Sequence, residues 1–313
     1  MKYGFGVDLG GTTVKIAFFD ECGTMLDKWE IPTVTADHGS QILPDIAASV
    51  LNYLSKKEIS KEQIIGIGIG VPGPVDDDGN VNRCSNLGWG VFNIHKDLGK
   101  LTGLAIKAGN DANMAALGEA WKGGAVGCDN MVFATFGTGV GGGIVVNGKP
   151  INGVHGAAGE IGHLTLERDE TEMCTCGKYG CAEQYCSATG IVRLAKKRLA
   201  SDGRESILRN ASPLTCKDVF DAGNQKDALA LEVLEQVYAY MGQFLASVCC
   251  VTDPDVVVLG GGVSKAGQPL LEGAKRHFDK YIFHASASIR FALATLGNDA
   301  GAYGAFKLIL DAQ

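Results

Sequence analysis

Cys174-x-Cys176-Gly177-x-x-Gly180-Cys181-x-Glu183 is a compact run of metal-ligand chemistry, and Glu160-Ile161-Gly162-His163 lies just upstream of it. Three thiols and one imidazole suit a tetrahedral zinc ion, and four protein ligands leave no open position for a catalytic water. The metal would therefore act as a staple. With one ring nitrogen of His163 on zinc, the other can donate to an outer partner. The same loop would bring Glu183 near Glu160 and His163, where these polar groups could face a small polar substrate.

A second chemistry lies in two glycine-threonine turns, Asp8-x-Gly10-Gly11-Thr12 and Gly137-Thr138-Gly139. Open backbone amides and threonine hydroxyls bind phosphate oxygens, and glycine permits their close approach. Asp8 can hold Mg²⁺ directly or through water. Lys15 either faces phosphate or is a solvated hairpin lysine, and both turns also read as ordinary hairpins. Asn110-Asp111 sits where a strand feeds a helix. There Asp111 is either a general base for a substrate hydroxyl or a helix cap. Residues 137–142 and 68–73 fit G-x-G-x-x-G, but the first runs into a strand and the second contains Pro72, so a dinucleotide-binding turn is not supported. Nor does the chain contain a P-loop pattern.

Alternating or continuous apolar runs predict the strands that must carry these groups: 3–9, 13–19, 64–71, 104–108, 131–137, 143–148 and 256–260. Helical spacing marks 40–57, 112–121, 228–252 and 300–310. VDLGGTTVKIAFF (7–19) and TFGTGVGGGIVV (135–146) share one layout of strand, Gly/Thr turn and strand. Two separated copies predict a duplicated α/β architecture with a cleft between its halves.

The 313 residues suffice for two domains. The 44 glycines are about twice the usual ~7% share. They cluster at the ends of apolar runs, which points to turns and close ligand approach rather than disorder. A net charge of −7 with scattered Lys and Arg disfavours nucleic-acid or anionic-membrane binding. No apolar run reaches the ~18 residues of a membrane span. The opening MKYGFGVDLGG does not resemble a secretion signal. A reducing cytoplasm is thus expected, with thiols on metal rather than in disulfides. The seven cysteines outside the cluster (Cys22, Cys84, Cys128, Cys186, Cys216, Cys249 and Cys250) read as inert, buried, small apolar residues.

Taken together and in order, DLGGTTVK, GVPGPVD, SNLGW, GNDAN, FGTGVGGGIV, GEIGH, CTCGKYGCAE, LGGGVS and NDAGAYGA resemble the ROK family of repressors and sugar kinases, and within it the bacterial ATP-dependent glucokinases. The resemblance covers essentially the whole chain. It implies an actin-like ATPase fold and transfer of a phosphoryl group from MgATP to the 6-hydroxyl of glucose, with Asp111 as the base. It further implies that Gly73, Asn86, Asn110, Glu160, His163 and Glu183 contact the sugar. Gly10, Gly11, Thr12, Thr138 and Gly139 would face the ATP phosphates, and Gly261 and Gly262 the nucleoside. His163, Cys174, Cys176 and Cys181 would bind zinc, with Cys186 an extra thiol nearby. A homodimer is expected on the same ground.

A kinase for N-acetylmannosamine, N-acetylglucosamine, fructose or allose is the nearest competing expectation. A sugar-sensing repressor is disfavoured, because the Asp8 motif begins too early to leave room for a preceding helix-turn-helix. The expected domains are 1–110, with a C-terminal helix over 298–313 packing back on it, and 111–297.

Overall fold

The computed structural model describes residues 1–313, except the side chain of Ser85. The chain forms two units. The first comprises Met1–Asp129, Gly143–Gly159 and Thr295–Gln313; the second comprises Asn130–Gly142 and Glu160–Ala294.

In the first unit, β1 (Tyr3–Leu9), β2 (Thr13–Asp20) and β3 (Met25–Pro32) form an antiparallel meander. β4 (Ile64–Val71) joins β1 in parallel. β5 (Asn80–Cys84) and β6 (Trp89–Asn93) make a separate ribbon. β7 (Ile106–Asn110) completes the order β3-β2-β1-β4-β7. Phe5, Val7, Ile67 and Ile69 share a fully buried core with Ile42, Ile46 and Val50 of the helix Ile42–Lys56.

Glycine alternates with these apolar residues, and the alternation has a steric cause. A Cβ on Gly6 would lie 2.0 Å from the carbonyl oxygen of Ala302, and one on Gly68 would lie 1.7 Å from that of Ala305. The bare strand face thus lets the backbone of the helix Ala300–Leu310 approach closely. The helix Asp111–Lys122 crosses that helix in the same manner. A Cβ on Gly304 would lie 1.7 Å from Met114 O, and one on Gly118 would lie 2.2 Å from Ala300 O. The buried Glu119 adds a polar tie, accepting the amides of Gly124, Thr295 and Leu296 at 2.7–3.0 Å.

These contacts correct the expected division at 110/111. Asp111–Lys122 belongs with the first unit, because glycines allow it to pack directly on the C-terminal helix. The segment from Gly143 to Gly159 follows it. A Cβ on Gly143 would lie 2.5 Å from that of Ala116, and Asn152 Oδ1 accepts from Asn113 Nδ2 at 3.0 Å.

The second sheet has the order β10-β9-β8-β11-β12. Its strands are β8 (Met131–Phe136), β9 (Val140–Val146), β10 (Lys149–Pro150), β11 (Val256–Gly260) and β12 (Arg290–Leu293). β11 runs parallel to both β8 and β12. The order repeats that of the first sheet position by position, as an actin-like duplication requires. The second unit's core joins Phe136, Val257 and Leu259 to Met241, Phe244 and Leu245 of the long helix Ala228–Thr252. Asp227 caps that helix by accepting the amide of Ala230 at 3.0 Å. No helix is long and apolar enough to cross a membrane among the described residues.

Candidate active site

β7 ends beside β4, with Asn110 in register with Val71. Asn110 is the cap of the following helix: its Oδ1 accepts the amides of Ala112 and Asn113 at 2.9 and 3.2 Å. Its Nδ2 donates to Gly73 O at 3.3 Å, tying the Pro72-Gly73-Pro74 turn to the strand end. The capping role thus falls to Asn110. Asp111 becomes the first helical residue, half-buried, with Oδ1 accepting the amide of Ala112 at 2.8 Å. Asn86 is exposed in the short turn Ser85–Leu87 that follows β5. Burial pushes the thiol of neighbouring Cys84 above its ordinary pKa, and the Asp111 charge acts in the same direction.

Asp8 and Lys15 face each other across β1 and β2. Lys15 Nζ lies 3.2 Å from Asp8 Oδ2 and 3.4 Å from Asn298 O, so the lysine holds the carboxylate rather than standing in solvent. A Cβ on Gly301 would fall 2.9 Å from Asp8 Cγ, which places Asp8 against the first turn of the helix Ala300–Leu310. The adjoining turn closes with Gly10 N donating to Thr13 O at 3.0 Å. Gly11 and Thr12 are exposed, and among the described residues no protein acceptor takes their amides.

The second turn is gripped on both sides. Gly137 O accepts from Ala188 N at 2.8 Å, and Thr138 O accepts from Thr189 Oγ1 at 2.7 Å. On the other side, Val140 N donates to Glu183 Oε2 at 3.0 Å. The amides of Thr138 and Gly139 have no protein acceptor among the described residues. Ser187 caps the helix Ala188–Ser201, whose N-terminus thus lies at this turn, a favourable place for an anion. The Ser187–Thr189 segment was not anticipated from sequence, although its Ser-x-x-Gly cap was visible. Gly261, at φ +81°, packs against Phe136, so the turn after β11 adjoins the end of β8. Gly262–Ala266 follows it and leads to a cavity of about 960 Å³ lined by Phe220, Leu234, Tyr238, Ala266 and Pro269.

His163, Cys174, Cys176 and Cys181 come together as expected, with all ligand atoms within 4.8 Å of one another. Cys176 Sγ and Cys181 Sγ are 3.6 Å apart, and Cys174 Sγ is 4.0 Å from His163 Nδ1. Around a tetrahedral ion with metal–sulfur bonds of about 2.3 Å, ligand pairs stand about 3.5–3.8 Å apart, so the cluster fits such a group. Its loop is built by Gly177 at φ +84° and by Ala182 N donating to Leu164 O at 2.8 Å, which joins the thiols to the His163 segment. Burial and the two neighbouring thiols push Cys181 up to about 12; a bound cation would reverse that and deprotonate it.

His163 Nε2 is turned towards Glu160, 3.9 Å from Oε2, and Glu160 is exposed. Glu183 Oε1 accepts from Thr175 Oγ1 at 2.9 Å. Cys186 is fully buried and stands outside the ligand group. Cys84, Cys128 and Cys249 are buried and Cys216 is half-buried, but Cys22 and Cys250 are exposed. The expectation of seven buried thiols therefore fails for those two, which sit in a turn and on the outer face of a helix.

The ROK family model matches residues 4–312. A glucokinase of Halalkalibacterium halodurans is 45% identical over 97% of this chain and 94% of its own length. A glucokinase of Thermotoga maritima is 33% identical, covering 97% and 96%. Among solved structures, a ROK family glucokinase from Streptomyces griseus in complex with glucose and AMPPNP is 30% identical. It matches with a TM-score of 0.76 over 98% of each chain.

Proposed function

This chain belongs to the ROK family, and we propose that it transfers the γ-phosphoryl group of ATP to the 6-hydroxyl of glucose. The observation that carries this reading is the nearly full-length likeness to a bacterial glucokinase.

Phosphoryl transfer depends mostly on positioning and charge stabilisation. Asp111, held at a helix N-terminus that Asn110 caps, takes the proton of the 6-hydroxyl as its oxygen attacks the γ-phosphorus and ADP departs. Asn86, Asn110, Glu160, His163 and Glu183 bind the other sugar hydroxyls, with Gly73 lining the site. The open amides of Gly11, Thr12, Thr138 and Gly139 receive phosphate oxygens; Gly10 and Gly261–Gly262 allow close approach. We place the adenine in the cavity beyond Ala266, whose Phe220, Leu234 and Tyr238 walls suit a flat apolar ring. Magnesium bound with ATP would neutralise charge on the phosphates, and Asp8, oriented by Lys15, would hold it through water.

Zinc is the cation that the three thiols and imidazole suit best. It would be bound through His163 Nδ1 and the sulfurs of Cys174, Cys176 and Cys181. Its part is to fix the loop that carries Glu183 and His163. We place the protein in the cytoplasm as a homodimer, which light scattering would test.

The deciding experiment is a panel of hexoses and N-acetylhexosamines with MgATP in a coupled ADP assay. Glucose should give the highest kcat/KM. A higher value for N-acetylglucosamine, N-acetylmannosamine, fructose or allose would replace glucose as the substrate, and sugar-independent ADP release alone would defeat the kinase reading.

A further inference from the structure

Glu183 is held at two points. Oε2 accepts the amide of Val140 at 3.0 Å, and it stands where a Cβ on Gly139 would fall, at 2.2 Å. Oε1 accepts from the hydroxyl of Thr175 at 2.9 Å, and Cys174 Sγ lies only 3.7 Å away. Thr175 stands between two thiols of the ligand group but contributes no ligand atom itself. At 2.9 Å, against 3.7 Å for the sulfur, the Thr175 hydroxyl is the closer donor to Glu183 on that side.

We propose that Thr175 is a positioning residue that acts through Glu183. By holding Oε1 it keeps Oε2 on Val140 and so fixes the Gly137–Val140 turn from the cysteine loop. Ala188 and Thr189 fix the opposite side of the same turn. The inference rests on the reading that this turn faces the ATP phosphates. It adds to that reading a mechanical link from metal loop to nucleotide.

The test is titration calorimetry of a non-hydrolysable ATP analogue with Mg²⁺ on the zinc-loaded protein, without sugar. Thr175→Val keeps shape and β-branching but removes the donor. It should weaken analogue binding about tenfold, the scale of one hydrogen bond to a charged group. Zinc content and thermal midpoint should stay at wild-type values, kcat should change far less than the KM for ATP, and Thr175→Ser should restore binding. Analogue binding as tight as wild type in Thr175→Val overturns the proposal, as does a serine variant as weak as the valine one.

A double-mutant cycle covers the case in which the valine variant loses metal. On a Glu183→Gln background, Thr175→Val should add less than about twofold, because residues acting through one another are not additive. A full, independent loss there overturns the proposal. A wild-type chain that binds no analogue overturns the nucleotide reading itself, and this inference with it.

Discussion

The two sheets share one strand order but are braced differently. In the first, backbone packs on backbone. Gly6 and Gly68 admit the helix Ala300–Leu310 to the sheet, and Gly304 admits Asp111–Lys122 to that helix. Both carboxylates proposed to act in this unit pack against that one helix: Asp8 rests against Gly301, and the Asp111 helix rests against Gly304 through Met114. The second unit has close glycine contacts too, such as Gly180 on Glu167 O, and adds side-chain ties to them. A thiol-imidazole cluster folds one loop, Glu183 straps the Gly137–Val140 turn, and Arg193 bridges Glu170 and Glu172 at 2.8 and 3.1 Å. The ties around the first sheet are mainly steric, whereas the second unit adds thiol, imidazole and charged groups to its packing. The units should therefore fail under different insults.

The largest effect belongs to the chemistry that the first unit presents. Asp111→Asn should lower kcat by about 10³-fold or more, within the range general bases supply, while glucose binding by calorimetry stays near wild type. Turnover close to wild type would remove Asp111 from the reaction. Next comes the staple of the second unit. Cys176→Ser should lose zinc, weaken glucose binding and cost about 3 kcal/mol in denaturant unfolding. Unchanged stability and glucose affinity would show that the cluster is dispensable.

Steric disruption in the first unit ranks third. Gly68→Ala puts a methyl 1.7 Å from Ala305 O, so the C-terminal helix must shift. A loss of about 2 kcal/mol is expected from such overpacking, with zinc content intact; loss of zinc instead would break the contrast between the units.

The smallest effect concerns a proton. Burial opposes ionisation of Glu170, but Tyr185, the Glu172 backbone and Arg193 prevail and hold its carboxyl down at about 2 instead of 4.5. A lowered folded-state pKa contributes stability that is complete above 4.5 and is lost as pH falls towards 2. Glu170→Gln should therefore cost about 1–2 kcal/mol at pH 7, and the gap from wild type should narrow at pH 3. A constant gap would assign the effect to packing alone.

Much of this architecture was legible because local signals agreed. β4, β11 and the helices over 228–252 and 300–310 lie where their apolar patterns put them, bounded by Pro72, the Asp227 cap, Asp253 at φ +41° and glycine. β7 begins at Ile106, later than the expected 104, and β9 begins at Val140, earlier than the expected 143, since strand ends are set by partners rather than by propensity. β3 carries no such signal, because it is an edge strand with no fully buried residue. The helices Ala188–Ser201, Cys216–Asn224 and Gln268–Phe278 bury a narrow stripe at helical spacing but are polar overall, so no conspicuous apolar run marks them. The cluster residues were legible from spacing alone. The contact of Gly118 and Gly304 was not, since it joins residues far apart in sequence without a local signature.

The placement of Ala300–Leu310 also bears on how the molecule is made. The ribosome delivers β1 first and that helix after the whole second unit. The bare glycine face of the first sheet must therefore wait, uncovered, while later residues are still being added. An N-terminal portion usually matures before the rest of the chain, but here its covering helix comes last. The nascent chain should settle its middle before its beginning, and a stall short of residue 300 would leave an early sheet face available to chaperones.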